Sequence, residues 1–248
     1  GALAEISRQA LAHDFREIDP ETARVILVEG GPDILSTYPE PLSTFARRAL
    51  ERLGVAVWTK SPVTAVEPAR VRLGAETIEA GTILWAAGVA ASPLGATLGV
   101  PVDRAGRVIV KDDLSIPGYP NVFVVGDLAT FEMPGGRTLP GVAQVAIQQA
   151  RAAAHNIQRT LTGQPREPFA YHNLGDMATI GRNSAIGDLG WIRLKGYVAW
   201  LTWLFVHIFQ LVGFRNRFSV MTQWAFSYMT YQRSVRLITR QEPRSGSE

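Results

Sequence analysis

The sequence predicts an α/β chain that ends in an apolar tail with basic flanks. Three observations predict it. Short β-branched runs, such as 24–29, 55–58 and 122–125, alternate with segments whose apolar residues recur at helical spacing. One of those runs, 122–125, stops at Gly126-Asp127 and leads through a Gly- and Pro-rich loop into a helical run from Val142. Residues 196–214 hold nineteen positions without a charge.

Taken in order, residues 2–13 continue a helix from Gly1. RVILVE at 24–29 is a short apolar strand closed by an acid, with Gly30-Gly31 behind it. In a dinucleotide fold this is the second strand, and its terminal acid, Glu29, hydrogen-bonds an adenosine ribose and disfavours a 2′-phosphate. The plainer alternative is a surface acid at a strand end. No Arg or Lys follows Glu29 closely, which favours a nucleotide without that phosphate. A helix is predicted over 41–53, since Leu42, Phe45, Ala46, Ala49, Leu50 and Leu53 share one face and Gly54 follows. A strand at 55–58 comes next, then a small antiparallel insert at 63–66, 70–73 and 77–78. Residues 82–86 read as a further buried strand. It ends in Ala87-Gly88, small residues that suit either a backbone passing a cofactor or close helix–strand packing. Residues 92–98 form a short turn or helix, and 107–111 another strand.

The stretch 121–151 organises the rest: a buried strand, a sharp turn tipped by a carboxylate, a loop and a helix N-terminus. Gly126 lets backbone approach a ligand closely. The Asp127 carboxylate can accept hydrogen bonds from a sugar-like hydroxyl, and the helix start offers N–H groups and partial positive charge. An ordinary turn is the competing reading. The helix runs to about Leu161. Gln144 and Gln148 are four apart and share a face, where such amides are either solvated or in contact with a ligand. Residues 169–186 read as a β-hairpin with Asn183-Ser184 near its turn.

A length of 248 residues suits one or two domains. The net charge of +3 is too small to point to a partner, and no nucleic acid is expected. The absence of cysteine excludes disulfides, thiolate metal sites and cysteine redox chemistry within the chain. His155, His172 and His207 fit no metal-ligand spacing, so no metal is expected. No signal peptide is recognisable at the start. In the tail, 196–214 would extend roughly 28 Å as a helix, close to a bilayer core. It carries Thr202, His207 and Gln210 and lies between Arg193-Lys195 and Arg215-Arg217. Residues 218–232 are amphipathic. Four of the six Trp and seven Lys/Arg, with no acid, fall between Trp191 and Arg240, which suits an anionic lipid surface. Two core helices or a homodimer interface are the alternatives.

NVFVVGDLA followed by PGVAQVAIQQA resembles the second flavin-binding motif of flavoproteins with two dinucleotide-binding domains. Among these the chain is most similar to the type II NADH dehydrogenases, the non-proton-pumping NADH:quinone oxidoreductases. The likeness extends over essentially the whole chain. It implies that Gly126 and Asp127 bind the ribityl chain of FAD. It implies that Ala143, Gln144, Ala146 and Gln148 lie under the isoalloxazine ring, with Gln144 and Gln148 beside the quinone. Ala87-Gly88 resembles the A-[TA]-G motif of the superfamily, and Glu29 takes the NADH ribose. Gly1-Ala2-Leu3 matches the helix that follows the family's nicotinamide fingerprint. Both G-x-G-x-x-G fingerprints are missing, so the resemblance implies the C-terminal portion of a longer protein, inactive by itself.

The fold implied is an incomplete pair of Rossmann-like, three-layer FAD/NAD(P)-binding domains with a C-terminal β-hairpin and membrane-binding helices. Residues 1–105 would bind NADH, 106–168 would complete the FAD domain, and 169–248 would anchor the protein. The anchor is expected to be peripheral and monotopic on the cytoplasmic face of the inner membrane, although its length permits a single span. Electrons would pass from NADH through FAD to a quinone, and no side chain is singled out as a catalytic acid or base. A sulfide:quinone oxidoreductase shares the scaffold but uses cysteines. An inactive membrane-associated remnant is the other alternative.

Overall fold

A computed structural model describes residues 1–10, 19, 22–210 and 219–222. The chain divides into two compact units: Gly1–Ile83 with Gly175–Glu248, and Leu84–Leu174.

The first unit opens with α1 (Ala2–Glu5), which runs into a π-helical turn, Ile6–Ala10. Strand β1 (Val25–Val28), helix α2 (Glu40–Arg52) and strand β2 (Val55–Trp58) form a parallel β-α-β unit in which Val25 faces Val55 and Val28 faces Trp58. Pro39 and Pro41 start α2 where missing N–H groups cost nothing. Gly54 (φ +78°) ends it, in a conformation that a side chain would strain. The Arg8 guanidinium donates to the Leu53 and Gly54 carbonyls at that end, where the helix itself offers no partners. Leu42, Ala46, Ala49 and Leu50 are buried, as their spacing predicts. Strands β3 (Ala65–Glu67), β4 (Arg70–Leu73) and β5 (Glu76–Glu79) form the antiparallel insert.

The second unit carries α3 (Leu94–Thr97), β6 (Val108–Ile109), β7 (Ser115–Ile116), β8 (Tyr119–Phe123), β9 (Ala129–Thr130) and α4 (Ala143–Leu161). Its core is Val108, Leu114, Ile116, Val124, Phe131, Val145 and Phe169, with Phe131 and Phe169 packed edge to face at 5.1 Å. Two carboxylates brace it. Asp103 accepts from the Thr130 hydroxyl at 2.6 Å, Arg107 Nε at 2.7 Å, and the Ala105 and Arg107 N–H groups at 2.8 and 2.9 Å. Partial burial pushes its pKa up, but these hydrogen bonds together outweigh burial and hold it at about 2. Asp113 pairs with Arg166 at 3.0 Å, and that guanidinium also lies over the Phe123 ring.

The chain then returns to the first unit. Strands β10 (Asp176–Gly181), β11 (Ser184–Asp188) and β12 (Arg193–Lys195) form an antiparallel sheet, and α5 (Gly196–Gln210) packs on it. Ile180 and Ile186 share a core with α2, while Ala185 and Ala199 are fully buried. The hairpin turn falls at Arg182-Asn183, with Asn183 at φ +64°, as the sequence suggests; β12 is an additional strand.

Two strand expectations fail. Residues 82–86 form no strand, and Trp85 is 62% exposed. A buried parallel strand exists only between hydrogen-bonding neighbours, and among the described residues nothing pairs with this run. The strand expected at 122–125 lies at Tyr119–Phe123, because its partner is the hairpin strand β7, and Val122 is partly exposed. Residues 107–111 contract to the two-residue β6. Residues 11–13 of the first helical run and, in the tail, 211–218 and 223–248 lie outside the described residues. Among the described residues no helix is long and apolar enough to cross a membrane.

Candidate functional site

In the first unit, Glu29 follows β1, and its backbone continues the ladder to Trp58 at 2.8 Å. Its carboxylate accepts the Gly31 N–H at 2.7 Å, which closes the Gly30-Gly31 turn. One oxygen is thus committed to the turn, and Oε2 makes no hydrogen bond among the described residues. Sequence reading finds no cation just after Glu29, and the segment that follows β2 runs its backbone beside the same turn. The Lys60 N–H donates to the Gly31 carbonyl at 2.7 Å.

In the second unit, Gly126-Asp127 begins a short 3-10 turn, Gly126–Leu128, that rests on α4. Gly126 has φ +70°, and a Cβ there would stand 3.2 Å from the Ala146 Cβ, so only glycine lets the turn settle this close to the helix. The Gly126 N–H donates to Gln149 Oε1 at 2.7 Å. Asp127 is exposed, and among the described residues its carboxylate makes no hydrogen bond. It lies beside Gly141, where an added Cβ would meet Oδ1 at 3.2 Å. Helix α4 begins at Ala143 behind Val142, with no side chain capping it. An unengaged carboxylate beside a glycine and an uncapped helix start can receive hydroxyls at one edge and an electron-rich atom at the other.

Gln144 and Gln148 share a face, as their spacing predicts, but in this structure both amides hold backbone. Gln148 donates to the His172 carbonyl at 2.8 Å and accepts the His172 N–H at 3.0 Å, while Gln144 Oε1 accepts the Leu174 N–H at 3.2 Å. Ala87 and Gly88 are exposed. Gly88 has φ +107° with open space around it, and no hydrogen bond ties the pair to the Gly126 turn among the described residues. A hollow of about 240 Å³ lies along the far turns of α4, lined by Gln148, Arg151, His155, Phe169 and His172.

Sequence reading misses Gln149, which is 1% exposed. Its signal is periodic: Val145, Gln149, Ala153 and Asn156 are the buried face of α4, so two amides stand in an apolar stripe. A buried amide must find partners. Asn156 finds the Glu167 backbone in both directions, at 2.9 Å each, as Gln149 finds Gly126.

The sequence profile of pyridine nucleotide-disulphide oxidoreductases matches residues 7–150. The chain belongs to that family. Within it, the profile of the NDH2 C-terminal domain matches residues 173–233, which include β10–β12 and α5. The type II NADH:quinone oxidoreductase NdhA of Mycobacterium tuberculosis is 43% identical over 97% of this chain and 53% of its own length. The enzyme Ndh of the same organism is 40% identical over 98% of this chain and 54% of its own. The chain therefore spans about half the length of the curated relatives it matches. NDH2 from Plasmodium falciparum, solved in complex with NADH, superposes with a TM-score of 0.82 over 94% of this chain and 63% of that one, at 17% identity. At that identity the likeness speaks for the fold alone. The resemblance to type II NADH dehydrogenases and the dinucleotide-type α/β fold are both borne out.

Proposed function

We propose that this pyridine nucleotide-disulphide oxidoreductase chain works within a membrane-associated NADH:quinone oxidoreductase. The observation that carries the proposal is the exposed Asp127 carboxylate, which makes no hydrogen bond among the described residues and lies beside Gly141 and the start of α4. Asp127 would accept the ribityl hydroxyls of FAD, Gly126 and Gly141 would leave room for them, and the α4 N-terminus at Ala143 would favour negative charge on the ring. FAD, when bound, supplies the two-electron chemistry between NADH and a quinone. Glu29 would take the NADH ribose through its second oxygen, and Ala87-Gly88 would pass the cofactor. Gln144 and Gln148 would border the quinone. Residues 1–105 serve NADH, 106–168 serve FAD and 169–248 serve attachment.

For attachment, Tyr197, Val198, Leu201, Phe205 and Phe209 of α5 are exposed, with Trp191, Arg193 and Lys195 just before them. Apolar side chains entering the acyl boundary and cations meeting anionic headgroups suit a peripheral anchor on the cytoplasmic face of the inner membrane. A homodimer through the same face is the competing occupant.

The test uses the protein expressed from its full gene. It should carry flavin near one per chain, turn over NADH with a quinone, and float with anionic vesicles. A colourless protein without turnover overturns the oxidoreductase reading. A flavoprotein that stays in solution with vesicles and sediments as a dimer overturns the lipid reading alone.

A further inference from the structure

We propose that Gln149 is a positioning residue for the flavin site: its buried carboxamide sets the Gly126-Asp127 turn so that Asp127 remains free for its ligand. This rests on the reading that Asp127 binds FAD. Gln149 lies 23 positions after Gly126, yet its Oε1 takes the Gly126 N–H at 2.7 Å. A backbone N–H can only donate, so the amide presents its oxygen there. Among the described residues this is the carboxamide's one hydrogen bond.

Gln149 and Ala146 are three apart and meet the same glycine: Ala146 from below, as the surface that excludes a Cβ, and Gln149 as the acceptor. Two contacts on one helix face fix both the distance and the rotation of the turn. Without the acceptor, the carboxylate next along the chain is that of Asp127 itself. Short acidic side chains readily bond backbone N–H groups close by in a turn, and doing so would withdraw Asp127 from a ligand. Gln149 keeps that N–H occupied.

The test compares Gln149→Met, which keeps the length without an acceptor, with Gln149→Glu, which keeps an acceptor. FAD affinity is measured on the deflavinated full-length protein by flavin fluorescence, and the Gly126 amide is followed by nitrogen-15 NMR. Gln149→Met should weaken FAD roughly tenfold, as expected for a buried donor left without its partner. It should also shift the Gly126 amide resonance. Gln149→Glu should restore affinity to within about twofold. In an Asp127→Asn background, Gln149→Met should add less than about threefold, because the two act on one element.

Equal loss in Gln149→Met and Gln149→Glu, or a full tenfold loss in the Asp127→Asn background, overturns the inference. If Gln149→Met does not fold, Gln149→Glu decides: FAD held within twofold supports the inference and FAD lost overturns it. If Asp127→Asn leaves FAD affinity unchanged, the reading of Asp127 itself fails, a distinct outcome.

Discussion

Glu29 and Asp127 both stand in glycine-bearing turns that follow a strand, yet the two turns handle their acids differently. At Glu29 the acid itself takes the Gly31 N–H, so the side chain that would meet a nucleotide also holds its own loop. At Asp127 a remote amide takes the Gly126 N–H, and among the described residues the acid itself makes no hydrogen bond. Asp103 marks the far end of the scale, with four hydrogen bonds closing its loop. The difference teaches that position at a strand end does not decide whether a carboxylate serves the fold or a ligand. The supply of other acceptors for the nearby N–H groups decides it.

That scale can be broken most sharply at Asp127. Asp127→Ala should weaken FAD by about a hundredfold, from lost hydrogen bonds to a charged acceptor. Its melting temperature without FAD should stay within about 2 °C of the parent's. A clear thermal destabilisation with flavin retained would place Asp127 with the structural acids.

Asp103 should behave in the opposite way. Its folded pKa, about 2, lies below the ordinary 3.8, so its contribution is present above pH 4 and is lost as pH falls from about 4 towards 2. Asp103→Asn should cost about 1–2 kcal/mol at neutral pH and flatten the acid limb of the stability curve, measured by urea unfolding between pH 2 and 7. An unchanged acid limb contradicts the assignment.

Glu29 should fall between them. Glu29→Ala should cost about 1 kcal/mol through the unpaired Gly31 N–H. Glu29→Gln keeps that acceptor and its stability, but should narrow the ratio of kcat/KM for NADH over NADPH by about tenfold. A preserved ratio means that the free oxygen of Glu29 does not face the ribose. The smallest effect is expected at Gln148. Gln148→Ala should cost under about 1 kcal/mol, since His172 is exposed and water can replace the amide, and any larger defect in quinone turnover at normal flavin reduction marks a ligand contact.

Much of the fold was legible because its signals are local. The one-sided apolar spacing in 41–53, the β-branched run at 55–58 and the alternation through 65–79 each state their own periodicity. The run 82–86 is equally apolar, but a strand is a property of a pair, and no run reveals its missing neighbour. The site was half legible. Gly126, Asp127 and Gly141 declare themselves through turn chemistry. Gln149 stood beside Gln148, and the i, i+4 match of Gln144 with Gln148 drew attention to one face of α4 and away from its buried one. The same wheel read for polar residues on the apolar side points to Gln149 and Asn156.

Helix α4 has a further property that follows from its amides. Asn156, Gln148 and Gln144, read from its far turns towards its start, take the N–H groups of Glu167, His172 and Leu174 in that order. Asn156 and Gln148 also donate back to the same residues' carbonyls. The helix thereby imitates the edge of an antiparallel sheet, with side-chain amides standing in for peptide groups. Residues 167–174 belong to no helix or strand. Their amide protons at Glu167 and His172 should nevertheless exchange with solvent deuterium more slowly than those of a loop, and deleting one residue from 162–166 should throw this borrowed ladder out of register.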